Sequence, residues 1–107
     1  MEIRTYRTAL GHSPFQTWYR GLEDVVRARV VRALERLELG NFSSVKPVGA
    51  GVHEFRMDFG PGYRIYFANA GQEIVLLLTG GDKRRQQRDI DAAIAYWKDH
   101  RRRDRGA

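Results

Sequence analysis

Two runs of alternating side chains, separated by a glycine–proline–glycine turn, constrain this chain more than any other feature. In 52–59, Phe55, Met57 and Phe59 point one way, and Glu54, Arg56 and Asp58 point the other. Gly60-Pro61-Gly62 interrupts the pattern. In 63–68, Tyr63, Ile65 and Phe67 alternate with Arg64, Tyr66 and Ala68. A three-residue turn would set Phe59 opposite Tyr63, Met57 opposite Ile65 and Phe55 opposite Phe67 on the core side. On the other side it would set Asp58 opposite Arg64 and Arg56 opposite Tyr66. A slip of one residue would turn charged side chains into the core, so this register is the expected one.

The rest of the chain falls into place around this pair. Residues 2–6 read as a short strand. Ser13-Pro14 is a helix start, a hydroxyl cap followed by proline at the first helical position. Phe15, Trp18, Tyr19 and Leu22 follow at helical spacing, and Gly21 separates this helix from the next. Leu22, Val26, Val30, Ala33, Leu34 and Leu37 make the apolar stripe of a second helix over 22–39, with Arg29, Arg32 and Arg36 mainly outside it. Gly40-Asn41 stops that helix. The stretch holding Lys46-Pro47 and Gly49-Ala50-Gly51 reads as a loop. After a turn at 69–72, residues 74–79 are apolar at almost every position, the pattern of a strand covered on both faces. Gly80-Gly81 ends this strand. Asp82 caps a last helix over 83–100, whose inner face is Ile90, Ala93, Ile94 and Trp97.

The expected order is therefore β-α-α-β-β-β-α. That is an α+β class domain with a small antiparallel sheet and helices packed on one face. Its 107 residues suffice for one domain, with no linker or repeat, and 101–107 reads as a basic, solvated, frayed tail.

Lysine and arginine number 19 against 13 acidic residues, a net charge of +6, so polyanions are the expected partners. The chain has no cysteine, which excludes thiolate chemistry and thiolate zinc sites. His12, His53 and His100 show no metal spacing. The start of the chain lacks a signal-peptide core, and the apolar run 74–78 is too short to cross a membrane. A cytoplasmic protein is expected.

Five segments, taken together, resemble the RelE/ParE toxin superfamily, and more closely its HigB-like addiction module killer branch. They are Phe15-x-x-Trp18, Gly40-Asn41-Phe42, residues 51–56 (GVHEFR), residues 60–67 (GPGYRIYF), and Leu76-Leu77-Leu78-x-Gly80-Gly81-Asp82-Lys83. The resemblance covers nearly the whole chain. It implies the toxin of a type II toxin–antitoxin system, an endoribonuclease that cuts mRNA on the ribosome without a metal or other cofactor. It also implies a cognate antitoxin, expected to be a helix-turn-helix protein. The family's working arginines and lysines match Arg56, Arg64 and Lys83 here. Relatives that place Tyr or His at the start of the last helix differ from this chain, which has Arg84-Arg85-Gln86-Gln87-Arg88. The groups that move protons are thus left open.

Attack of a ribose 2′-hydroxyl on phosphorus needs a base, an acid and cations to hold the growing charge. Arginine suits the last task because its planar fork grips two phosphate oxygens. Arg64 is the first candidate, with an ordinary cross-strand pair to Asp58 as its structural alternative. Arg56 is the second, with Tyr66 beside it able to stack on a base. Lys83 stands where the last strand passes into a helix start, a place that favours anions. Glu54 reads as a surface carboxylate, though one that could act as a base. His53 points to the core side. Lys46, Arg84 and Arg85 read as phosphate positioners. Trp18 and Trp97 read as core. The arginine stripe of the long helix reads as a solvated face, or as a contact for ribosomal RNA or an acidic antitoxin segment. Two other functions fit the same fold, a ParE-like gyrase poison and a non-catalytic RNA- or ribosome-binding module.

Overall fold

The structure is a computed structural model and describes residues 1–106. Its elements are β1 (Glu2–Thr5), α1 (Pro14–Arg20), α2 (Asp24–Glu38), β2 (Val45–Gly49), β3 (Val52–Arg56), β4 (Arg64–Gly71), β5 (Ile74–Gly81) and α3 (Gln86–Gly106). A 3₁₀ turn at Lys83–Arg85 leads into α3. The five strands form one sheet in the order β1-β5-β4-β3-β2. The α+β class agrees with the sequence reading, and so does the succession of elements apart from one added strand. Both helix starts follow their caps: Ser13 accepts from the Gln16 amide at 3.1 Å, and Asp82 from the Arg84 amide at 2.9 Å.

Four details differ. The sheet is mixed, because β1 pairs parallel to β5. Residues 45–49, expected as loop, form the edge strand β2 against β3. Pro47 is tolerated there because an edge strand has one side on which no amide is needed. The β3–β4 register is Phe55 opposite Ile65, Glu54 opposite Tyr66 and Arg56 opposite Arg64, two residues away from the expected one. The turn is longer than three residues. Its strands end at Arg56 and Arg64, and the Met57 amide still reaches the Tyr63 carbonyl at 2.9 Å.

The fourth difference bears most on the site, since helices cover both faces of the sheet. Phe55, Ile65, Phe67, Val75 and Leu77 face α1 and α2 through Phe15, Val30, Ala33 and Leu37. Val52, Tyr66, Ala68, Leu76 and Leu78 face the other way and pack with Tyr6, Ile90 and Ala93. That second apolar set must be removed from water, so α3 lies across it. Ile94 and Trp97 join the same cluster, as expected. α3 also continues through the arginine-rich segment read as a tail, where Arg102 and Arg103 pair with Asp99 one turn back. Ala107 lies outside the described residues.

Tyr6, just after β1, fastens this roof. Its buried hydroxyl donates to Asp99 at 2.6 Å, and its ring stacks on Tyr96. Burial, and then Asp99, push the Tyr6 phenol up to about 12. A phenol kept neutral by folding stabilises fully below its unfolded value near 10, and that stabilisation drains away as the pH approaches its folded value. Stability should therefore fall between pH 10 and about 12. The Tyr6→Phe variant should show a shallower decline in denaturant titrations across that range.

On the opposite face the Trp18 ring lies flat against Gly80, where an added Cβ would meet it at 2.2 Å. Gly80→Ala should destabilise the fold by about 1–3 kcal/mol through overpacking. Adding Trp18→Leu should return part of that loss, as measured by urea unfolding.

Candidate active site

Strand register gathers the cations. Arg56 ends β3 opposite Arg64, the first residue of β4, and Arg64 lies opposite Gly81, the last residue of β5. Lys83 follows two residues later. Three strand ends thus deliver three cations to one end of the sheet, with neighbouring strands about 4.8 Å apart. Arg56, Arg64 and Lys83 line a single open depression of about 500 Å³, walled by Gly60-Pro61-Gly62. The Lys83 amide donates to the Pro61 carbonyl at 3.3 Å, tying that loop to the last turn. Gly62 has φ +78, and a Cβ there would come within 2.9 Å of Arg64 Nη1 and 3.3 Å of Lys83 Cβ. Only a glycine passes between the two cations without pushing them apart. Arg64 Nη1 donates to the Gly62 carbonyl at 2.6 Å.

Beneath the depression lies a polar cluster that the sequence reading placed on an open face. Glu54 is fully buried rather than on the surface. Its Oε1 accepts from Tyr66 Oη at 3.2 Å and Gln86 Nε2 at 2.8 Å, and stands 3.2 Å from Arg64 Nε. Its Oε2 stands 3.6 Å from Lys46 Nζ. Tyr66 is fully buried as well, so its ring has no face to offer a base. It serves instead as a hydrogen-bond donor, its phenol pushed far up by burial and then by the Glu54 charge. Arg64 is 4% exposed and pairs with Glu54, not Asp58. Asp58 sits instead 3.9 Å from Arg56, both exposed. The two-residue register shift accounts for both exchanges, and the roof of α3 accounts for the burial.

Arg64 carries five N–H donors; Nη1 donates to Gly62, while Nε faces Glu54 as an ion pair without a hydrogen bond. The guanidinium is held from behind while it lines the depression. Arg56, Lys83, Arg84, Arg85 and Lys46 are exposed. Arg84 leans back on Asp82 at 3.5 Å, so Arg56 and Lys83 are the freer cations at the depression. His53 stacks on Phe67 on the core side, as expected. Asp89 is a residue the sequence reading missed. Its carboxyl presses on Gly81, where a Cβ would clash at 1.9 Å, and its pKa is raised by burial and then by Asp82. The glycine pair before a capped helix was the available signal for such a close approach. A carboxyl of this kind holds its proton closer to neutrality than an ordinary aspartate does.

The arrangement suits binding and polarising a phosphate. Glu54 is the anion that lets Arg64 stand beneath α3, and a buried charge that loses its partner is strongly destabilising. Glu54→Gln keeps the shape but removes the countercharge. It should lower unfolding free energy by about 3–5 kcal/mol in urea titrations.

Residues 17–98 match the family described as phage derived protein Gp49-like (DUF891). A relative from Haemophilus influenzae, described only as an uncharacterized protein, is 40% identical over 80 residues. That match covers 74% of this chain and 81% of the relative. No helix among the described residues is long and apolar enough to cross a membrane. The chain therefore belongs to the Gp49-like family, a RelE/toxin-like addiction module family in which a toxin is matched by an antitoxin.

Proposed function

We propose that the chain is the toxin of a type II toxin–antitoxin pair and acts as a metal-independent endoribonuclease on mRNA, engaged on the ribosome. The observation that carries this reading is the shared depression of Arg56, Arg64 and Lys83. The ribose 2′-oxygen attacks the adjacent phosphorus while the bond from phosphorus to the 5′-oxygen breaks. A 2′,3′-cyclic phosphate and a free 5′-hydroxyl result. The 2′-hydroxyl proton goes to a base, and another proton goes to the leaving 5′-oxygen. Arg64, fixed by Glu54 and Gly62, meets the charge that grows on the non-bridging oxygens. Arg56 and Lys83 close on the phosphate from the two flanking strand ends. Lys46, Arg84 and Arg85 attract and position the backbone. The partner in this reading is a helix-turn-helix antitoxin.

A second reading draws on the burial of Arg64. If its pairing with Glu54 is purely structural, the exposed cations make a binding module without catalysis. A gyrase poison is the third outcome to be separated.

Lys83→Ala and Arg56→Ala alter exposed side chains and should leave the fold intact by circular dichroism. Each should lower cleavage by about 10²-fold, the typical effect of removing one oxyanion-stabilising donor. Mapping RNA 5′-ends and DNA breaks in cells expressing each form is the measurement. New mRNA ends that vanish in the variants support the proposal. Growth arrest without new ends supports the binding module, and gyrase-dependent breaks support the poison.

A further inference from the structure

Beside the candidate active site, α2 carries an arginine stripe that its packing does not use. Val26, Val30, Ala33 and Leu37 bury the inner face of the helix. Arg29, Arg32 and Arg36 are exposed and, at spacings of three and four, share one side. None of the three guanidinium groups has an ion pair or hydrogen bond among the described residues. Two are nevertheless held in place. The Arg29 guanidinium lies 4.5 Å over the Phe59 ring, and that of Arg36 lies 5.7 Å over Phe55. These residues line a depression of about 400 Å³ that runs along α2. Four arginines line it, the fourth being Arg56, against one carboxylate, Asp58. Arg56 and Asp58 also line the depression that holds Arg64 and Lys83. The two hollows therefore meet at Arg56.

We infer that the α2 groove holds the single-stranded RNA flank of the strand whose scissile phosphate lies at Arg56, Arg64 and Lys83. This inference rests on the nuclease reading for its second half only. An endonuclease substrate continues on both sides of the broken bond, and its charge repeats with every nucleotide. A row of cations leading away from the site matches that repetition. Guanidinium groups held over phenyl rings are already partly ordered, so less rotamer freedom is lost when a phosphate or base docks. Their outer faces, and the half-exposed Phe59 ring, are surfaces on which unpaired bases stack. An acidic protein segment would also answer the charge. It has no need of aromatic rings beside the cations or of continuity with a phosphate site, and RNA is favoured on both grounds.

The test uses fully 2′-O-methylated oligouridines of three and twelve nucleotides, which cannot be cut because the attacking hydroxyl is blocked. Anisotropy titrations over a range of salt compare wild type, Arg32→Glu, and the triple variant in which Arg29, Arg32 and Arg36 become Gln. Arg32 makes no contact that its replacement would break, so that variant keeps the folding question separate. Wild type should bind the twelve-nucleotide strand more tightly and with a steeper salt slope. The triple variant should lose about 2 units of that slope, at roughly 0.7 per phosphate on a single strand, and with them about sixteenfold of the weakening between 50 and 200 mM salt. Arg32→Glu should remove most of the length advantage. A length advantage that survives in both variants overturns the inference. So does retention of RNA binding by variants that lose binding to a twelve-residue polyglutamate. Length-dependent binding by a wild type that cuts no RNA would leave the groove standing and remove the nuclease. Cutting with a flat length response would do the reverse.

Discussion

The fully buried carboxylate of Glu54 is the interaction on which the site depends. It lies on β3, and its partners come from β4 (Tyr66 and Arg64), the start of α3 (Gln86) and the edge strand β2 (Lys46). A lone carboxylate in that position would be expensive to desolvate, and two cations with two neutral donors offset the expense. The same cluster specifies how α3 sits. Gln86 is its first residue, so satisfying Glu54 also places the helix start and, just before it, Lys83. Stability and the placement of the candidate phosphate site therefore share one set of atoms.

The cations nearest the depression are otherwise an unfavourable arrangement. Arg56 and Arg64 stand opposite each other on adjacent strands, where like charges repel. The protein does not neutralise them equally. Arg64 is tied to a buried anion, whereas Arg56 has only an exposed aspartate at 3.9 Å, a pairing worth little in water. One guanidinium is buried and internally compensated, and the other is exposed and largely uncompensated. An anion entering between them relieves the repulsion that remains.

Much of this was legible from residue pattern, and the failures have specific causes. Strand parity came through correctly: Phe55, Ile65 and Phe67 share one face, with Glu54 and Tyr66 on the other. Register did not, because a two-residue slip leaves every face assignment unchanged and hydrophobic alternation cannot detect it. The length of loop 57–63 sets the register, and a Gly-Pro-Gly segment suggests a tighter turn than the one formed. β2 escaped notice because Pro47 and its neighbouring glycines lack any strand pattern. The roof of α3 was hinted at by Tyr66, Ala68, Leu76 and Leu78, which together with the opposite set leave both faces of β4 and β5 apolar. Once that roof is recognised, a glutamate between Phe55 and His53 has nowhere to go but inward, and the tyrosine opposite it on the next strand cannot remain a stacking platform. The family resemblance, by contrast, was carried by short motifs that do not depend on register.

The parallel pairing of β1 with β5 has a consequence for how this molecule comes into being. Glu2 through Thr5 lie beside Ile74 through Leu77, so the sheet closes a long ring that takes in α1, α2 and the three strands β2, β3 and β4. Closing so large a ring sacrifices chain entropy before any contact repays it, which makes assembly slow for a protein of this size. β1 is made well before β5 and must wait, unpaired, for that neighbour to be synthesised. The gathering of Arg56, Arg64 and Lys83 is thus a property of the finished chain alone.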